Sequence, residues 1–189
     1  MDATLDRTEA RGGAAEIEWL AGLFPVLPRR RARITLMFTD IAGFTACASA
    51  AGDRAAVRLL RRHDAAVLPP IRQHGGRIVK RLGDGLMVAF ALPAAAVAAA
   101  VAMRRAAGSR VRLRIGIHTG EARSRAGDLI GHDVNVASRI ADRAPGGGIL
   151  VSEAVREADG VGVSFRACQR LVFPGRKPIR LFLVREDGS

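Results

Sequence analysis

The segment Lys80-Arg81-Leu82-Gly83-Asp84-Gly85 constrains the fold of this 189-residue chain more than any other stretch. The run Arg77-Ile78-Val79 leads into it, and Leu86-Met87-Val88-Ala89-Phe90 leads out. Two β-type runs joined at Gly-Asp-Gly read as a hairpin, because glycine adopts the backbone angles a tight turn needs. The turn would hold Asp84 at an exposed tip, where a metal or a phosphate-bound cation could reach it. Lys80 sits four residues earlier, on the incoming strand. Taken alone, Gly-Asp-Gly reads more simply as an ordinary tight turn. What tips the balance is a second aspartate, Asp40, in an equivalent setting.

Ile34, Leu36 and Phe38 alternate into Thr39-Asp40, which predicts a strand that ends on a carboxylate. Ile41 to Thr45 then turns into a helical region, and a long helix is expected from about Asp53 to Gln73, with Pro69-Pro70 ending or kinking its last turn. Gly75-Gly76 breaks the chain before the hairpin, and Pro93 opens a helix to about Ala107. Val111, Leu113, Ile115 and Ile117 alternate as a central strand ending at His118, with Glu121 to Ser124 expected to pair with it. A helix is predicted from Asp133 to Ala144, closed by Pro145-Gly146-Gly147-Gly148. A strand at Ile149 to Val151 and a short helix at Glu153 to Ala158 follow. Three closing strands are expected at 163–165, 171–173 and 179–184. This order predicts an α+β sandwich with helices packed over a sheet. Residues 1–32 read as an N-terminal extension, loose and then a short helix, ahead of a main domain at 33–189.

The net charge is +12 and is carried almost wholly by arginine, since Lys80 and Lys177 are the only lysines. A basic surface favours anionic partners. Tyrosine is absent and aromatic residues make up only 4%, which argues against a base-stacking platform and hence against a nucleic-acid partner. No apolar run approaches the roughly 20 residues of a membrane span, and no signal-peptide pattern opens the chain. Cys47 and Cys168 have no metal-binding spacing and read as reduced thiols, so a cytoplasmic location is expected.

If the strands ending at Asp40 and at Asp84 are neighbours, both carboxylates converge at one edge of a sheet. Oxygen donors of this kind suit two Mg²⁺ or Mn²⁺ ions, and two such ions suit an in-line displacement at phosphorus. The backbone N–H groups from Ile41 to Thr45, Phe44 and Thr45 among them, would lie at a helix start and could hold phosphate. A nucleoside triphosphate is therefore a sensible ligand, although a helix cap and a turn residue explain the same two aspartates. Asn135 and Arg139 are four apart and share one helical face, able to hold a sugar and a phosphate, or simply to form the polar face of a capped helix.

Phe38-Thr39-Asp40-Ile41-Ala42-Gly43-Phe44-Thr45, Lys80 to Gly85, Arg114-Ile115-Gly116-Ile117-His118-Thr119-Gly120 and Asp128 to Arg139 resemble, in order and spacing, the motif series of class III nucleotidyl cyclases. The resemblance covers about Arg33 to Val184. It implies a ferredoxin-like βαββαβ core with additional C-terminal strands, working as a head-to-tail homodimer with active sites at the interface. It further implies that Asp40, Asp84 and the Ile41 carbonyl hold two Mg²⁺ or Mn²⁺ ions. Lys80 and Asp128 would read the purine of ATP, Arg114 would lie near the phosphates, Asn135 would orient the ribose, and Arg139 would stabilise charge on the α-phosphate. The implied product is 3′,5′-cyclic AMP. A catalytically silent nucleotide-binding relative and a guanylate cyclase are the alternatives, whereas a diguanylate cyclase would need a Gly-Gly-Asp/Glu-Glu-Phe signature that is missing. One departure is the loop Phe173-Pro174-Gly175-Arg176-Lys177, where proline stands at the usual position of a phosphate-binding lysine, leaving Arg176 or Lys177 to substitute. His118 and His132 match no catalytic position of the family and are assigned structural roles.

Overall fold

The alternation of Ile34, Leu36 and Phe38 with Met37 gives a strand that buries apolar side chains on both faces, which is β1 (Ala32–Ile41). Such a strand must lie inside a sheet covered on each side. The computed structural model describes residues 32–125, 127–158 and 160–185. The N-terminal extension expected at 1–32 lies outside the described residues, apart from the first residue of β1.

After β1 come α1 (Phe44–Gln73), β2 (Arg77–Leu82), β3 (Gly85–Phe90), α2 (Pro93–Ala107) and β4 (Leu113–Arg125). These are followed by β5 (Asp128–Ile130), α3 (His132–Arg143), β6 (Ile149–Ser152), α4 (Glu153–Arg156), β7 (Ser164–Leu171) and β8 (Ile179–Arg185). The strands run in the order β2-β3-β1-β4-β6-β8-β7, with β5 paired to β4 off this path. The first six elements form the expected βαββαβ unit, with β1 antiparallel to both β3 and β4. On one face, Val67 and Ile71 of α1 and Val97 and Met103 of α2 pack on Met37, Val88, Phe90, Ile115 and Ile117. On the other, Ala137 and Ala141 of α3 pack on Leu36, Phe38, Met87 and Ala89. All six residues of β3 are buried, as a strand covered on both faces requires.

The long helix expected from Asp53 to Gln73 is present: Gly52, with φ 75° and ψ 175°, is non-helical and separates it from a shorter helix that starts at Phe44, and α1 joins the two end to end. Three segments differ from expectation. Pro69 and Pro70 neither end nor break the helix, and α1 continues to Gln73. The central strand does not stop at His118 but runs on to Arg125, so Glu121 to Ser124 continue it and Arg123 to Arg125 pair with β5. The two short strands expected at 163–165 and 171–173 are one strand, β7, with Val172 and Phe173 in the following loop. Each strand error has one cause. β7 is the outermost strand and Arg166 to Arg170 are exposed, as are Arg123 to Arg125, so no buried face wrote a period of two into either segment.

Helix α3 lies directly on the backbone of β4 where glycine permits it. A Cβ at Gly116 would stand 2.1 Å from the Ala141 amide nitrogen. Gly116→Ala should therefore lift α3 and destabilise the fold by about 1–3 kcal/mol, read as a lowered Tm against wild type. An unchanged Tm would show that this contact is loose.

Candidate functional site

The hairpin of β2 and β3 delivers Asp84 to the end of β1. The pairing of Thr39 with Leu86 places the turn there, and the Leu86 N–H donates to Thr39 Oγ1 at 3.2 Å. The approach needs glycine after the aspartate, since a Cβ at Gly85 would stand 2.0 Å from the Thr39 carbonyl oxygen. Asp84 Oδ2 then accepts from the Ile41 N–H at 3.0 Å, which puts its carboxylate beside the residue that follows Asp40. Asp84 thus lies at the corner of the sheet where β1 carries Asp40, the placement expected if the two strands are neighbours.

Arg114 belongs to the same corner. It lies opposite Asp40 in the β1–β4 register and grips its carboxylate with two donors, Nε to Oδ1 at 2.9 Å and Nη2 to Oδ2 at 2.5 Å. That carboxylate, aided at longer range by Asp142 and Asp84 and opposed by partial burial, holds the Arg114 guanidinium above its usual pKa. Among the described residues no three His, Cys, Asp or Glu side chains gather in a metal-binding group. The protein donors at this corner are two carboxylates and the Ile41 carbonyl. An all-oxygen, incomplete set of this kind fits Mg²⁺ or Mn²⁺, which take one or two carboxylates and complete their shell with water and substrate phosphates. Of the five amides from Ile41 to Thr45 expected to hold phosphate, two are already used: Ile41 donates to Asp84, and Ala42 to the Arg112 carbonyl at 2.8 Å. The amides of Gly43, Phe44 and Thr45 remain at the start of α1. The Phe44 side chain packs on the core, and Thr45 is exposed.

Lys80 and Asp128 come together although 48 residues separate them. Lys80 Nζ lies 2.5 Å from Asp128 Oδ2, and both side chains are little more than one-third exposed. The short arm of β4 and β5 carries Asp128 to the hairpin, and the Leu129 N–H fixes its other oxygen at 2.7 Å. Asn135 and Arg139 stand on the exposed face of α3, and no side-chain partner holds either of them among the described residues. Beside the start of α3 lies a cavity of ≈ 260 Å³, lined by Arg123, His132, Asp133 and Arg176 among others. Of the two basic candidates in the β7–β8 loop it is Arg176, not Lys177, that reaches this cavity. None of its lining residues belongs to the Asp40 corner.

Sequence reasoning missed three contacts. Asp40 and Arg114 pair across adjacent strands. On the outer side of the hairpin, Arg81 forks onto Asp64 with two bonds of 3.1 Å. Burial would raise the Asp64 pKa, but the bonds from Arg81 and His63 outweigh it and hold the carboxyl below its usual range. The third contact is a row in which Ser152 Oγ lies 2.8 Å from His118 Nδ1, and His118 Nε2 lies 3.5 Å from Asp133 Oδ1. His118, joined by the Glu121 N–H and opposed by burial, holds Asp133 below the usual carboxylate range. Ser152 is 0% exposed, so this row is a buried support and not a nucleophile with its base. Gly116, His118 and Gly120 share one face of β4. Two glycines on one strand face are a signal of close approach that could have located this support.

The family model for the adenylate and guanylate cyclase catalytic domain matches residues 26–186. The chain belongs to this family. Relatives include a pH-sensitive adenylate cyclase of Mycobacterium tuberculosis, 35% identical over 177 residues covering 86% of this chain and 43% of the relative. Another is a putative adenylate cyclase of Rhizobium meliloti, 30% identical over 137 residues covering 68% of this chain and 23% of the relative. The chain thus spans less than half of either relative. Among solved structures, the guanylyl cyclase Cya2 superposes with a TM-score of 0.74 at 26% identity, over 85% of this chain and 95% of that one. The adenylyl cyclase CyaB of P. aeruginosa has a TM-score of 0.74 at 24% identity, over 84% and 96% of the two chains, and bears on the fold alone. No helix of the described part of this cyclase domain is long and apolar enough to cross a membrane.

Proposed function

We propose that the chain is a cytoplasmic adenylate cyclase that converts ATP to 3′,5′-cyclic AMP and pyrophosphate, at sites shared across a head-to-tail homodimer. The observation that carries this reading is the Lys80–Asp128 pair, a donor and an acceptor held side by side at 2.5 Å. Lysine can donate to a ring nitrogen of adenine while aspartate accepts from the exocyclic amino group. Guanine presents an oxygen where that amino group stands, and the oxygen would face a carboxylate.

Asp40 and Asp84, with the Ile41 carbonyl, would hold two Mg²⁺ or Mn²⁺ ions. Bound there, such ions supply Lewis acidity at the α-phosphate and lower the pKa of the ribose 3′-hydroxyl. Asn135 orients the ribose. Arg139 donates to the α-phosphate as charge builds on it, and its guanidinium, exposed and unengaged among the described residues, is available to do so. The 3′-oxygen bonds to the α-phosphorus, the bond from that phosphorus to the bridging oxygen breaks, pyrophosphate leaves, and the hydroxyl proton passes to solvent. Arg114 and, from the β7–β8 loop, Arg176 balance the phosphate charge.

Product analysis with ATP and with GTP, each with Mn²⁺ or Mg²⁺, tests the reading directly. Cyclic AMP is expected from ATP, and no cyclic nucleotide from either substrate would end the catalytic claim. Purine choice has its own test. Lys80→Glu combined with Asp128→Gly should cut ATP use by about 10²-fold or more, since an unmatched polar edge is strongly rejected. Unchanged ATP turnover would remove both residues from purine recognition.

A further inference from the structure

We propose that Asp133, backed by His118 and Ser152, is a positioning residue that fixes the height of α3 over β4 and so sets where Asn135 and Arg139 stand. The inference rests on the cyclase reading for the roles of those two residues, but the anchor itself is a matter of geometry. An acidic residue in the first turn of a helix ordinarily serves the free amides of that turn. Here Gly131 occupies the N-cap without any side-chain bond, and Asp133 turns away from its own helix. Its Oδ2 accepts from the Glu121 N–H on β4 at 2.6 Å, and its Oδ1 lies 3.5 Å from His118 Nε2. His118 is in turn held through Nδ1 by Ser152 of β6, and both residues are buried. The carboxylate reaches across only because position 120 lacks a side chain, since a Cβ there would stand 2.3 Å from Asp133 Oδ2.

This contact has a counterpart at the other end of the helix, where Gly116 admits the Ala141 backbone. The spacings match. Gly116 and Gly120 lie about 13 Å apart along a strand, and Asp133 and Ala141 about 12 Å apart along a helix. The helix is therefore fastened to one strand at two points. Asn135 and Arg139 fall between these points on the exposed face. Neither has a side-chain bond of its own to hold it among the described residues, so the seat of the helix defines their position. Loss of one fastening would tilt both residues together, and a misplacement of about 1 Å at a reacting centre costs about 10²-fold in rate.

The test combines kinetics with amide hydrogen exchange. Asp133→Ala should lower kcat for ATP by about 10²-fold with little change in KM, and Gly120→Ala should do the same by displacing the carboxylate. Asp133→Asn keeps an acceptor for the Glu121 N–H and should fall between wild type and Asp133→Ala; its milder change also serves if the alanine variant folds poorly. Because Asp133 acts through its neighbours, Asp133→Ala with Arg139→Ala should be little worse than Arg139→Ala alone. Independent, multiplying losses, or an unchanged kcat, would overturn the positioning role. Exchange of the amides in the first turn of α3 should quicken in both Asp133→Ala and Gly120→Ala, and unchanged exchange would overturn the anchor in an active or an inactive protein. A wild type that forms no cyclic nucleotide sinks the cyclase reading, and the exchange result then still decides whether Asp133 fastens the helix.

Discussion

Replacing Asp84 with alanine should abolish cyclic-nucleotide formation, by about 10³-fold or more, while the domain stays folded. The carboxylate does two separable things. Its Oδ2 accepts the Ile41 N–H at 3.0 Å, which ties the hairpin turn to β1. Its charge, together with that of Asp40, would under the proposed function make the corner an oxygen-donor site for divalent ions. The tie is one hydrogen bond in a partly buried place, worth about 1 kcal/mol. The hairpin has other anchors in the Leu86–Thr39 bond and the fully buried β3. The proposed metal role would involve several kcal/mol of transition-state charge stabilisation, and each 1.4 kcal/mol is tenfold in rate. Function should therefore suffer far more than stability. Asp84→Asn separates the two roles, because an amide oxygen can still accept from Ile41 while the negative charge is gone. Its Tm should approach that of wild type, yet its turnover and its Mn²⁺ binding should fall with those of Asp84→Ala. Turnover above about one-tenth of wild type in the asparagine variant would mean that Asp84 is a turn residue after all, the bland reading that Gly-Asp-Gly permits.

How much of this could be read from the sequence follows from what burial writes into a chain. The core elements were legible because they are covered on two sides. Ile34 to Phe38 and Leu86 to Phe90 are buried throughout, as are Leu113, Ile115 and Ile117, and each of these stretches forms a strand where the pattern places one. Segments that bury little were misread. The sequence pattern divides β7 in two and pairs Glu121 to Ser124 with the strand they in fact continue, because exposed residues such as Arg123, Arg166 and Arg170 carry no periodic constraint. Strand ends place Asp40 and Asp84 at one edge only on the condition that the two strands are neighbours, and the β1–β3 pairing meets that condition. The grip of Arg114 on Asp40 was not legible, because it depends on the β1–β4 register, which no local pattern of either strand encodes. The Asp133 support was hidden for another reason: its parts lie on three elements, and only the glycine pair at 116 and 120 hinted that a helix would lie so close.

Mixing two inactive variants should restore activity. Asp40→Ala removes a carboxylate from the proposed metal corner and Asn135→Ala removes the amide proposed to orient the ribose, so each variant alone should be nearly silent. The reason for expecting rescue is spatial. Lys80 and Asp84 sit four residues apart on one hairpin, yet a purine edge and an α-phosphate lie at opposite ends of a nucleotide. Asp84 is bound into the end of β1 through Ile41, whereas Lys80 is bound to the β4–β5 arm through Asp128. Two such groups serve a single nucleotide poorly, but they serve two nucleotides well if each chain lends Asp40, Asp84 and Arg114 to one site and Lys80, Asp128, Asn135 and Arg139 to the other. In a mixed dimer of the two variants, one site then collects both lesions and the other collects none. If chains associate at random, half of the dimers are mixed and half of their sites intact, so the mixture should recover about one-quarter of wild-type turnover per chain, measured as cyclic AMP after equal amounts are combined. A site built within one chain gives the opposite result, since every site would then carry one lesion and mixing would add nothing. Dilution supplies a second arm of the same test: specific activity should fall as the chain is diluted below its dimerisation constant, and the fall should follow the loss of dimer seen in sedimentation.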